Sequence, residues 1–258
     1  MAIDHIVALD CPPKRALGVQ GIVDRIKARS RAESALSYAR ANGDKRAPEA
    51  ITFKVAIIGP KGVAEERDVA VGGLLQQSAA LESHRASCAG CPANHGSPSG
   101  FGCYESINYP IQTDTEAWLV SRLPQELSST AGFLFGKALV DFGWDGEQAA
   151  SMRANGRTFF ESPDQLGVQY DDDIVIGSDV VFHMMFHLGH LGAAHAKLLC
   201  LFLGMLPADL PPQRIGAADW MNDLIPIPPE EGQIEQMATF LRACAKSAEL
   251  GVDLLIDG

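Results

Sequence analysis

The segment from residue 86 to residue 110 constrains this chain more than any other. It holds Gly90, Pro92, Gly96, Pro98, Gly100, Gly102 and Pro110. Proline removes a backbone donor and glycine resists ordering, so such a run is predicted to be neither regular helix nor strand. A loop of that length inside a compact domain needs something to order it. Three cysteines in the same segment suggest a metal. The sequence reads Cys88-Ala-Gly-Cys91-Pro-Ala-Asn-His95-Gly-Ser-Pro-Ser-Gly-Phe-Gly-Cys103, a C-x2-C-x11-C array with a histidine inside it.

The spacing has a physical reason. A two-residue gap forms a tight turn, from which both sulfurs of Cys88 and Cys91 reach one centre at ~2.3 Å. Gly90 gives that turn backbone freedom, Pro92 stiffens its exit, and Cys103 returns after a flexible span. The fourth ligand is either His95 or Cys11. With His95 the order is similar to a zinc knuckle, with the histidine one residue early and the last cysteine three residues late. With Cys11, which follows the first predicted strand and precedes Pro12–Pro13, four thiolates suit zinc or a 4Fe-4S cluster alike. Structural zinc is the expectation and the cluster its alternative. A redox dithiol at Cys88 and Cys91 is disfavoured, because the flanking glycine and proline argue against the helix start that lowers a thiol pKa. Pro92 in place of histidine excludes c-type haem. Cys200 and Cys244 lie in apolar helical series and are expected to be small core residues.

A second set of possible ligands lies in the apolar stretch from Val180 to Leu206. Read as one helix, it puts His183, His187 and His190 at i, i+4 and i+7 on one face, with His195 rotated away. Two histidines four apart can chelate an ion. This row lacks the glutamate of H-E-x-x-H, and a histidine on an apolar helix more commonly serves the core or an interface. Carboxylates from Asp171, Asp172 or Asp173 are conceivable partners. Gly59-Pro60-Lys61-Gly62 lacks phosphate-loop spacing and is expected to be a turn. No G-x-S-x-G elbow is present.

The expected fold is α+β and mostly helical, in one domain over 1–258. A short βαβ-like start (1–62) is built from a strand at Ile3–Leu9, a helix at Lys14–Arg40 and a strand at Ile51–Ile58. A helix over Val63–Arg85 leads to the cysteine loop (86–110), and a helical body fills 113–258. In that body Thr113 to Glu116 reads as a capping box, Gln125–Phe142 as helix, and Ser178 as an N-cap. A last helix from about Glu230 buries Ile234, Met237, Leu241, Cys244 and Ala248 on one face.

Charge limits the function classes. The chain carries a formal net charge of -11, yet residues 1–46 hold nine Lys or Arg against five acids. The acidic remainder repels phosphate backbones, which argues against general nucleic-acid binding. The N-terminus lacks the basic start of a secretory signal, and the histidines and Lys197 make the apolar stretch a poor membrane span. The expectation is a cytoplasmic metal-binding protein. It would be a non-catalytic binding or assembly component with a protein partner and a structural zinc loop. The alternative is a metalloenzyme or iron–sulfur protein using the cysteine loop or the histidine row.

Overall fold

A computed structural model describes residues 2–58, 64–96, 101–171, 174–186 and 189–257. It is α+β, with 53% helix against 15% strand, so helices dominate as the sequence implies. The chain divides into two compact units, Met1–Leu9 with Cys91–Gly258, and Asp10–Gly90. The motif Gly59 to Gly62, His187, Asp172 and Asp173 lie outside the described residues.

The first unit opens with β1 (Ala2–Val7). The second unit follows at once. Its helix α1 (Pro12–Leu17) starts on two prolines, whose fixed φ suits a first helical turn. Gly18, at φ 73° and ψ 156°, separates it from α2 (Val19–Ala41). That conformation is open essentially to glycine alone, so the single helix expected over Lys14–Arg40 becomes two. Strand β2 (Thr52–Ile58) then pairs antiparallel with β3 (Ala64–Ala70), from Thr52↔Ala70 to Ile58↔Ala64. Residues 64–70 were expected to be helix. Their helix-forming Ala and Glu are overridden by pairing with a β-branched neighbour, a case of tertiary context outweighing propensity. Helix α3 (Val71–Ser78), a 3-10 turn over Ala79–His84 and α4 (Arg85–Cys88) complete the unit. Ala32, Ile51 and Val71 form its core, with Leu36, Phe53 and Leu74 packed around them. A Cβ at Gly72 would lie 3.0 Å from the Glu49 Cα, so this glycine lets α3 close on the preceding turn.

The remainder of the first unit contains β4 (Tyr104–Asn108), α5 (Thr113–Ser121), α6 (Thr130–Phe142) and α7 (Glu147–Ala154). A hairpin of β5 (Gly167–Asp171) and β6 (Ile174–Gly177) precedes α8 (Ser178–Phe186). Then come β7 (His190–Leu191), α9 (Ala193–Phe202), α10 (Pro212–Ile215), α11 (Gly232–Leu250) and β8 (Leu254–Asp257). Four strands make one antiparallel sheet in the order β4-β1-β8-β7. The βαβ-like start is therefore corrected: β1 finds its partners in β4 and β8, while β2 pairs with β3, and neither pairing is parallel. Helix α11 covers β4 and β1 and packs on α9, burying Met237, Leu241 and Cys244 as its period requires.

Helix α5 corrects the capping box. Thr113 is already helical, and its N–H donates to Glu161 at 2.9 Å. Glu116, fully buried, turns inward instead to Arg153 at 2.8 Å. Arg153 also pairs with Asp179 at 2.6 Å, and Ser178 donates to Glu116. This buried cluster clamps α5, α7 and α8 together. Among the described residues no helix is long and apolar enough to cross a membrane.

Candidate metal centre

Strand β1 brings polar groups into the interior of the first unit. As a central strand it is covered on both faces, and Asp4 and His5 are 3% and 0% exposed. Asp4 accepts a hydrogen bond from the Tyr104 hydroxyl. That bond, after burial, pushes the Tyr104 pKa well above its ordinary value. His5 stacks against His95 with ring centroids 5.6 Å apart and meets the edge of Phe240 at 5.2 Å. Both ring nitrogens of His5 are buried and lack a hydrogen-bond partner among the described residues. Burial first, and His95 second, hold its pKa well below the usual imidazole value, so the ring is neutral. Neutral imidazole is the form that ligates metals.

The candidate ligands fall in both units. In the first unit, the chain turns after Cys91, where Asn94 N–H donates to the Cys91 carbonyl at 3.1 Å. The amides of His95 and Gly96 then both donate to Gly102 O, at 2.8 and 3.1 Å, closing the loop. Cys103 follows, its carbonyl accepting from Val7 N–H at 3.0 Å. The cysteine loop is thus sewn to β1, with Cys103 buried and Cys91 and His95 half-buried. Residues 104–108, expected to be irregular, form β4 instead. In the second unit, Cys11 is half-buried as the N-cap of α1, and Cys88 is buried as the last residue of α4. These two helices pack on each other. Among the described residues, no group of three or more His, Cys, Asp and Glu side chains is gathered as a metal site.

Beside the loop lies a cavity of about 330 Å³ lined by His95, Gly96, Glu105, Glu235, Thr239 and Arg242. Glu105 sits directly opposite His5 on β4. A Cβ on Gly96 would come 2.5 Å from the Glu105 side chain, so any larger residue there would have to displace Glu105. Arg242 bonds Glu235 at 2.7 Å, which lowers the Glu235 pKa.

The histidine row does not form as expected. Helix α8 ends at Phe186, Gly189 takes φ +67°, and His190 lies exposed on β7 opposite Leu255. The one-helix spacing of His183 and His190 is therefore lost. His183 Nδ1 lies 3.1 Å from the Gly146 N–H and 3.2 Å from Asp145 Oδ1. A neutral ring accepts from the first; a protonated ring donates to the second. His195 stacks on Trp144 at 5.0 Å, and burial lowers its pKa.

Sequence reasoning missed His5 and the Arg153 cluster. A histidine among Ile, Val and Leu in a short strand was the available sign for the first. Glu116 was hidden behind its capping-box spacing. Comparison with protein-family models, with curated proteins and with solved structures finds no match.

Proposed function

We propose that this chain binds a metal ion through the loop from Cys88 to Cys103. The ion is zinc, it fixes the loop, and the protein acts as a non-catalytic binding or assembly component. The supporting observation is His5, a wholly buried ring stacked against His95 of that loop, its two nitrogens without a partner among the described residues. A buried polar group left unsatisfied costs about 1–3 kcal/mol, and a bound ion is one way to relieve that cost. Sequence spacing provides Cys88, Cys91 and Cys103 as thiolates. The fourth position falls to His95 or Cys11, and His5 joins them as a candidate.

The assembly role draws on helix α6, where Phe133, Val140 and Phe142 are 64%, 81% and 60% exposed. Phe133 and Val140 are seven residues apart and so share a face, as a surface for a protein partner would. Clustered thiols kept for a metal suit a reducing compartment, so the cytoplasm is the proposed location. Net charge -11 argues against general nucleic-acid binding.

A metalloenzyme or iron–sulfur protein is the second reading. It is favoured by the cavity beside His95, where Glu105, Glu235 and Arg242 offer polar groups to a small molecule. Elemental analysis of the full chain and its variants tests the proposal. Wild type is expected to carry about one zinc per chain, Cys88→Ser and Cys103→Ser to lose most of it, and His5→Phe to release it faster to a chelator. Unchanged metal content in Cys88→Ser overturns the proposal. Visible absorption with bound iron favours the second reading over zinc.

A further inference from the structure

Two adjoining cavities of the first unit share His183 and Gln148 as lining residues. The larger has a volume of about 490 Å³ and is walled by Tyr109, Phe159, Phe160, Phe182 and Phe186. Among the described residues no Asp, Glu, Lys or Arg lines it. Its size falls within the ordinary range for small-molecule sites, which are mostly apolar with a few polar groups at one end. The smaller cavity, of about 320 Å³, is lined by Gly143, Asp145, Glu147, Gln148 and His183, with no Lys or Arg among the described residues.

Local folding builds this arrangement. Gly146 takes φ +81°, and a Cβ there would lie 2.9 Å from the Val180 amide nitrogen. Glycine thus lets the turn before α7 close on α8, which places Asp145 beside His183. The Glu147 N–H donates to Asp145 at 2.9 Å and is the main reason that the Asp145 pKa is lowered. Arg153, a buried cation, lies 4.1 Å above the Phe160 ring of the cavity wall. Its charge is matched by Glu116 and Asp179, so it is not available to an anionic ligand.

We propose that the two cavities form one binding site for a small aromatic amine. The ring enters the phenylalanine-lined cavity and the ammonium group meets Asp145 and Glu147. Aromatic walls suit a flat apolar body, and two carboxylates, with no Lys or Arg beside them among the described lining residues, select positive charge over negative. This site goes beyond the metal-binding reading and does not depend on it.

Calorimetric titration of the full chain tests the site, with tryptamine, indole and indole-3-acetate as probes. Tryptamine is expected to bind, and indole-3-acetate to bind at least about tenfold more weakly, because its carboxylate meets carboxylates. Asp145→Asn with Glu147→Gln should weaken tryptamine about fivefold to tenfold and leave indole unchanged. Ala149→Trp, which fills the apolar cavity, should abolish binding of all three. Met152→Trp replaces it if that variant does not fold. No tryptamine binding by wild type at millimolar concentration, equal binding of indole-3-acetate, or full binding by the folded cavity-filling variant each overturns the proposal.

Discussion

Arg153 carries more of the first unit's order than its place on a mixed, polar helix suggests. It is 6% exposed and pairs with Glu116 and Asp179 from two other helices, while also donating to Ser162 O at 3.0 Å. Burying charges costs several kcal/mol, so the cluster's value lies in complete pairing, and removing one member is far worse than never having had it. Arg153→Ala is expected to destabilise the protein by about 3–5 kcal/mol, read from chemical denaturation. A loss under about 1 kcal/mol would contradict the clamp. The cysteines differ in the same residue-level way. Burial pushes the Cys200 thiol up to about 12 and raises Cys244 as well. Neither should react with iodoacetamide at pH 8 in the native protein, and both should react once it is unfolded; mass mapping after a short pulse distinguishes the two.

Glycines decide several element boundaries, and each makes a prediction at that scale. Gly18 has open space around a Cβ but holds φ +73°, so Gly18→Ala is expected to cost about 1–3 kcal/mol from backbone strain alone. Gly73 lies exposed within α3, also with nothing within 4 Å of a Cβ. Gly73→Ala should instead stabilise by about 0.4–1 kcal/mol, and thermal melts of the two variants should shift in opposite directions. The same boundaries mark what the sequence could reveal. Strand β1 and helix α11 were legible because a β-branched run and a 3.6-residue period each point one way. Strand β3 was not, because Ala-Glu-Glu-Arg reads as helix until β2 is beside it. The break between α8 and α9 was signalled by Gly189 and Gly192, but the apolar residues around them kept the helical period. That continuity produced the histidine row that the fold does not form.

For the molecule as a whole, the chain leaves the first unit after Leu9 and returns at Cys91, so the cysteine loop begins where the second unit ends. Cysteine spacing along the chain groups Cys88, Cys91 and Cys103 as one proposed ligand set, but it carries no information about a division between Cys88 and Cys91. It also could not reveal His5, whose relation to His95 depends on β1 lying beside β4. Metal held by this loop is the central proposal for the molecule. The most direct measurement is metal stoichiometry together with an absorption spectrum on the full-length chain, purified without oxygen. Metal held by the loop predicts a colourless protein with about one zinc per chain, lost on replacement of Cys88 by serine. Metal-free protein after that purification, or zinc retained undiminished by Cys88→Ser, would contradict it.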